Sequence, residues 1–475
     1  MALDIEKIIE RSQRAAEEFR NLNQVQTDSI VEAVYRAGFD NRVTLAKHAY
    51  EETGLGIWWD KVKKNVVATK FVFDDIINLQ TVGILRTDDE NGIIEIAQPI
   101  GPIFAITPIT NPTSTVLFKI LICLKSRNPL ILRPHGSARK CSIAAAKICY
   151  EAALEAGAPR HCIQWINRST REETLSMMGH KKISLILATG SVELVRAASR
   201  SGNPTLGVGP GNVPAYIGRS ADVPFAVSQI YMSKIFDNGT VCASEQAIVV
   251  RSCHVERVTE EFQKRKAHFL SPEEIEKLGK VAFSKTNKVM NVEVIGQPAT
   301  KIAEMAGIEV PPDTSLLIAR LEEVGPHQPL SMEILAPILA FYTADTFEEG
   351  IELCRRINLN GGLGHTASIF SQNERKIEYF AEVMNAGRIL VNTPASQGAV
   401  GGTYNTLQPS FTLACGPGGK NITTDNITAK HLINTQRIAR RHVHHCVDDF
   451  VEDFYFDEAF DSHAAEAWCE HRHSH

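Results

Sequence analysis

Apolar residues recur every three or four positions through residues 4–55 (Ile5, Ile8, Ile9; Ile30, Val31, Val34), with charges between them. That spacing predicts amphipathic helices. A second stretch, 58–85, carries Val62, Val66, Val67 and Phe71 at similar spacing and predicts another helix. The pattern then changes. Residues 92–101 read as a short strand ended by Pro99 and Gly101. Short apolar runs follow, alternating with helical stretches: strands over 103–106, 129–132, 162–166 and 183–188, and helices over 112–124 and 138–156. A second series begins near Cys242, with strands over 247–250, 315–318, 338–341, 366–369 and 388–391 and helices such as 347–357 and 373–384. Continuously apolar strands alternating with helices predict an α/β fold built on parallel, doubly wound sheets.

Composition adds limits. At 475 residues the chain is long enough for two or three domains, and 44% hydrophobic with 22% charged residues is ordinary for a globular protein. A net charge of -5 gives no basic footprint for nucleic acid or a membrane surface. No apolar run reaches the length of a bilayer span, and residues 1–6 do not read as a secretory leader. Ten cysteines are scattered without a CxxC, the usage of free thiols in a reducing compartment, so the expected location is cytoplasmic.

Candidate chemistry gathers around residues 236–246, where Cys242 lies in a polar turn leading into an apolar run. A thiol on such a loop is open to a substrate, although a lone cysteine is more commonly a small core residue. Residues 105–112 end a buried strand and start a helix, placing Asn111 where ligands gather in open α/β sheets; an ordinary cap or turn asparagine is the plain alternative. Thr189, Gly190 and Ser191 form another strand–turn–helix, suited to a phosphate or a nicotinamide ring. Residues 207–212 lack the third glycine of a dinucleotide fingerprint, so their glycines are read as allowing close backbone approach. Glu333 precedes an apolar strand, and His365 sits on a glycine-rich loop before another.

These segments, in this order around Cys242, resemble the aldehyde dehydrogenase superfamily. Residues 106–112 are similar to its oxyanion loop, 189–191 to its cofactor turn, and 333–337 to the motif whose Glu holds the nicotinamide ribose. Residues 236–246, 364–366, 391–398 and 431–434 resemble the CoA-acylating branch, most of all the aldehyde dehydrogenase half of bifunctional aldehyde–alcohol dehydrogenases. The resemblance covers about residues 5–440 and implies an aldehyde dehydrogenase-like fold of two doubly wound α/β domains plus a small oligomerisation element. The implied division is a cofactor-binding domain over 1–240, with an oligomerisation strand near 92–98, and a catalytic domain over 241–419. An oligomerisation segment over 420–441 and a His-rich, acidic tail over 442–475 complete it.

The resemblance further implies Cys242 as nucleophile, Asn111 as oxyanion donor and His365 as the residue that meets the incoming thiol. Thr107, Pro108, Arg133, His135, Thr189, Gly190, Ser191, Gly209 and Glu333 are the expected cofactor residues. The expected reaction joins an aldehyde, coenzyme A and NAD or NADP, reversibly, with acetaldehyde as the default substrate and a homo-oligomer, dimer or higher, as the assembly. Succinate semialdehyde and sulfoacetaldehyde are alternative substrates; a hydrolytic dehydrogenase and an inactive assembly-forming relative are alternative roles. Two departures stand out. Gly207 occupies the place of the general-base Glu of hydrolytic members, and no counterpart of the iron-dependent alcohol dehydrogenase half follows. Arg133, Arg139 and Lys140 follow a strand where no acid is available for a ribose 2′-hydroxyl, which favours tolerance of NADP. The tail clusters His442, His444, His445 and Cys446, but the spacing fits no closed zinc pattern and no metal is assigned.

Overall fold

The computed structural model describes residues 3–283, 290–441 and 456–472, and begins with helices Ile5–Phe19, Gln24–Asp40 and Arg42–Thr53, as the periodicity predicts. The next helix, Trp58–Val66, continues through a π-turn at Val67–Phe71 and the helix Val72–Ile76, and stops there. The predicted helix over 58–85 therefore ran too far: β1 occupies Gly83–Asp88 and pairs antiparallel with β2, Ile93–Pro99. The turn between them is an overlooked Asn-Gly hairpin signal, with Gly92 at φ 63° and Asp88 Oδ1 accepting from the Asn91 N–H at 3.1 Å.

The chain then builds β3 (Ile103–Ile106), β4 (Leu130–Arg133), β5 (Ile163–Trp165), β6 (Leu185–Thr189) and β7 (Thr205–Val208). These form a parallel sheet in the order β5-β4-β3-β6-β7, so the strand order reverses between β3 and β6. In open α/β sheets that reversal opens a ligand crevice at the carboxyl ends of the strands. The helix Pro112–Lys125, apolar nearly all round, is buried along its whole length against this sheet. Its Lys119 Nζ donates to the Ile106 carbonyl at 2.7 Å and the Leu187 carbonyl at 2.9 Å, tying the ends of β3 and β6 beneath the crevice.

A seven-stranded parallel sheet follows: β8 (Val213–Ile217), β9 (Glu245–Arg251), β10 (Ala267–Phe269), β11 (Leu316–Arg320), β12 (Ile338–Ala344), β13 (Gly364–Phe370) and β14 (Ala386–Val391). Its order is β10-β11-β12-β9-β8-β13-β14. One sequence reading changes here. The strand Val213–Ile217, placed with the first domain over 1–240, belongs to this second sheet. The strand after Cys242 lies in the middle of the sheet, between β12 and β8, and every residue from Glu245 to Val250 is buried.

Compact units divide at Leu79/Gln80, Gln98/Pro99 and Ile433/Asn434. The larger holds both parallel sheets. The smaller is built on a three-stranded sheet of order β1-β2-β15, where β15 is Ile433–Ala439. Within it Arg437 pairs with Glu95 at 2.9 Å and the Arg440 N–H donates to the Gly92 carbonyl at 2.9 Å. His442, His444, His445 and Cys446 of the tail lie outside the described residues; a helix at Ser462–Arg472 follows them. No helix among the described residues is long and apolar enough to cross a membrane.

Candidate active site

The expected cofactor residues other than Glu333 lie along the carboxyl edge of the first sheet. Thr107 and Pro108 follow β3, Arg133 ends β4 with His135 just beyond, Thr189 ends β6 and opens the turn to Gly190 and Ser191, and Gly209 follows β7. Ser191 caps the helix Val192–Ser199, accepting from the Leu194 N–H at 3.4 Å. Flanking the crevice, the hydroxyls of Thr107 and Thr189 are buried and have no hydrogen-bond partner among the described residues. Unpaired buried hydroxyls are uncommon in native structures. Here they leave donor and acceptor capacity facing the place where this sheet type binds nucleotides, so the site fits a nicotinamide dinucleotide.

Two of the three expected catalytic residues, Cys242 and His365, and the expected cofactor residue Glu333 come from the opposite, amino edge of the second sheet, while the third, Asn111, follows β3 of the first. Cys242 precedes β9, Glu333 precedes β12, Gly211 precedes β8 and His365 is the second residue of β13. Gly211 joins them: a Cβ on it would lie 2.2 Å from the Cys242 carbonyl oxygen and 3.2 Å from the His365 ring, and its N–H donates to Glu333 Oε1 at 2.8 Å. Close backbone approach, predicted for the glycines of 207–212, therefore holds at Gly211; Gly209 has open space around it.

Burial dominates the electrostatics of this edge. It pushes the Cys242 thiol up to about 12, reinforced by the nearby Glu333 and opposed by Arg388. It raises the Glu333 carboxyl to about 7, opposed by the Gly211 N–H and by Lys234. It lowers the His365 imidazole to about 3, helped by Arg388. The resting groups are thus a neutral thiol and a neutral imidazole. His365 Nδ1 pairs with Thr366 Oγ1 at 2.9 Å, while its buried Nε2 has no partner among the described residues. Arg388 spends its donors on the His365, Ala414 and Thr424 carbonyls, Asn426 Oδ1 and Thr366 Oγ1.

Asn111 occupies the N-cap position of the helix Pro112–Lys125, but its side chain makes no capping bond there, which frees the carboxamide for other partners. Its Oδ1 accepts from Lys64 Nζ at 2.7 Å, and its Nδ2 faces Thr110 Oγ1 (3.1 Å) and the Thr240 carbonyl (3.5 Å) on the nucleophile loop. That loop turns through three consecutive left-handed residues, Asp237 (φ 49°), Asn238 (φ 51°) and Gly239 (φ 73°). Such backbone costs about 1 kcal/mol or more at each non-glycine position. The loop is held by buried bonds. Asp237 Oδ1 accepts from the Ile57 N–H at 2.6 Å, the Asp237 N–H donates to Asp60 Oδ2 at 3.0 Å, and Lys61 and Lys64 both donate to Asp237 Oδ2. A Cβ at Gly239 would strike the Ala336 carbonyl at 2.7 Å, so this turn also sits against the Glu333 segment.

Lys61, Lys64 and Asp237 were not expected. On the helix Trp58–Val66 the buried face is Asp60, Lys61, Lys64 and Asn65, and the valines sit at its margins. The periodic spacing was a correct signal, but the face it marked was the wrong one.

Comparison with known proteins adds four similarities. The profile of the aldehyde dehydrogenase family matches residues 1–406. The bifunctional aldehyde-alcohol dehydrogenase AdhE of Escherichia coli (strain K12) is 42% identical over 442 residues, covering 92% of this chain and 49% of that protein. The chain thus spans about half the length of the bifunctional relatives it matches. The acetylating succinate-semialdehyde dehydrogenase of Clostridium kluyveri is 33% identical, covering 92% of this chain and 95% of that one. Among solved structures, an acetylating aldehyde dehydrogenase from Geobacillus thermoglucosidasius superposes with a TM-score of 0.90 at 44% identity, covering 93% of this chain and 97% of that one.

Proposed function

The chain belongs to the aldehyde dehydrogenase family, and from that premise we propose that it is a CoA-acylating member that interconverts acetaldehyde and acetyl-CoA. The observation that carries this reading is Gly207. A Cβ there would lie 2.7 Å from Val195 Cγ1, and the Asn421 amide brackets the residue, accepting from its N–H at 3.0 Å and donating to its carbonyl at 2.8 Å. No general base occupies or fits this position, so water attack on a thioester is slow and the acyl group is left for a thiol.

The Cys242 thiol attacks the aldehyde carbonyl: its S–H bond breaks with the proton passing to solvent, its sulfur bonds the carbonyl carbon, and Asn111 Nδ2 and the Cys242 backbone N–H are the donors for the oxyanion of the resulting thiohemiacetal. Thr107, Thr189, Ser191 and Glu333 would hold the nicotinamide cofactor, which would accept the hydride that the thiohemiacetal carbon loses. Cys242 then carries a thioester. The coenzyme A sulfur attacks its carbonyl, the bond to Cys242 breaks, and acyl-CoA leaves. His365, neutral and with Nε2 unpaired, accepts a hydrogen bond from a thiol and orients it. Lysine and arginine donors beside the nucleophile are spent: Lys64 on Asn111, Asp237 and Thr240, and Arg388 on four oxygens of the backbone and side chains and on Thr366. With no free cation there among the described residues for an anionic tail, the site favours a small uncharged aldehyde over succinate semialdehyde or sulfoacetaldehyde.

Arg133, half-buried and without a hydrogen bond or ion pair from its guanidinium among the described residues, supports use of NADP as well as NAD. The free edges of the three-stranded sheet, with Ile84 and Ile438 exposed, support pairing with a second copy of the chain. The test is reduced-nicotinamide formation from acetaldehyde, with and without coenzyme A, using each cofactor in turn. Turnover that requires coenzyme A is expected; sustained turnover in water alone would replace this reading with a hydrolytic one.

A further inference from the structure

Asn111 is the residue on which the oxyanion step above depends, and its carboxamide is gripped from behind. Lys64 Nζ, fully buried, donates to Asn111 Oδ1 at 2.7 Å and to Thr240 Oγ1 at 3.0 Å, and is itself bound by Asp237 Oδ2. We propose that Lys64, fixed by Asp237, is a positioning residue: it locks the Asn111 amide with its oxygen turned away from the reacting carbon and its NH2 turned toward the nucleophile loop.

Three observations carry this beyond simple packing. A flipped amide would set NH2 against an ammonium, donor against donor, so only one orientation is compatible with Lys64. A cation on the amide oxygen polarises the group and strengthens its N–H as a donor. Lys64 also ties together the two loops that must keep register, residues 107–111 through Asn111 and residues 236–241 through Asp237 and Thr240. The charged groups facing it are Asp237 from the nucleophile loop and Lys61 and Asp60 from its own helix, with the Phe236 ring 5.5 Å away. Burial lowers Lys64 to about 8, opposed by Asp237 and reinforced by Lys61. The ammonium is therefore lost as pH rises through about 8, and the grip on Asn111 weakens with it.

The proposal rests on the oxyanion role of Asn111 given above. The experiment compares Asn111→Ala, Lys64→Met, Lys64→Arg and the double variant Asn111→Ala/Lys64→Met in CoA-dependent acetaldehyde oxidation, with thermal unfolding of each. Lys64→Met is expected to lower kcat about 100-fold, the scale of losing one oxyanion donor, with the cofactor KM little changed. In the Asn111→Ala background the same substitution should cost no more than about twofold, because the lysine acts through the amide. Lys64→Arg should restore part of kcat. Full additivity in the double variant, or wild-type kcat in a folded Lys64→Met, would overturn the proposal. Should Lys64→Met not fold, the pH profile decides: wild type should lose kcat above pH about 8 and Asn111→Ala should not. A shared descending limb would overturn it. An inactive wild type would instead overturn the functional reading itself.

Discussion

The two parallel sheets offer opposite ends of their strands to the site, and those ends are filled in opposite ways. The carboxyl edge of the first carries small polar residues whose hydroxyls, Thr107 and Thr189, are buried without partners among the described residues. The amino edge of the second holds its charged groups through several bonds, Glu333 by Gly211, Arg388 by five acceptors and Asp237 by two lysines, and leaves His365 Nε2 and Glu245 Oε2 without a partner among the described residues. The difference separates binding from chemistry. An edge that a ligand completes keeps unsatisfied polar atoms, whereas an edge that must hold reacting groups in register spends its hydrogen bonds on itself.

The contrast breaks most sharply at Cys242. Cys242→Ala should lower acyl transfer by at least about 10⁴-fold while nicotinamide binding, read by cofactor fluorescence, stays at the wild-type level. A parallel loss of cofactor binding would mean that the edges are not separate. Next in size is Asp237→Asn, which leaves two buried ammoniums sharing one neutral amide. Urea unfolding should show a loss of about 3–5 kcal/mol, the scale for breaking a buried ion pair. A loss under about 1 kcal/mol would mean that solvent reaches these lysines.

Glu333 sharpens the comparison because it belongs to the chemical edge yet serves the cofactor. Its carboxyl is raised to about 7, so it is protonated below that pH and ionised above it. Cofactor KM should fall as pH rises through about 7 and be flat over that range in Glu333→Gln. The same shift makes its contribution to folding greatest below the ordinary carboxylate range and lost as pH climbs through about 7. The smallest effects belong to the binding edge. Thr107→Val or Thr189→Val should each raise the cofactor KM about 3–10-fold, the worth of one hydrogen bond, with the midpoint of thermal unfolding unchanged or higher. A lower midpoint would mean that the hydroxyls already have partners.

Much of this architecture was readable before any coordinates. Continuous apolar strands and their helical spacers located nine parallel strands to within a few residues but not β7, β8 or β10, and strand–turn–helix junctions placed Thr107, Asn111 and Thr189 at one edge. The misses have physical causes. Strand Val213–Ile217 joins the second sheet through long-range pairing that no local pattern reports. Lys61 and Lys64 point inward because Asp237 lies 176 and 173 residues away in the chain, so a buried lysine face cannot be told from a solvated one without the loop that neutralises it. The same distance hid Asn421, whose amide closes the Gly207 position 214 residues earlier.

The most direct test of CoA-dependent acyl transfer through Cys242 is a single-turnover experiment. Protein, NAD or NADP and acetaldehyde are mixed without coenzyme A, and reduced nicotinamide is counted per chain while the intact protein is weighed by mass spectrometry. One equivalent of reduced cofactor, an acetyl group on Cys242 that persists, and continuous turnover once coenzyme A is added are the predicted result. Continuous turnover before the addition, with Cys242 unmodified, would contradict it.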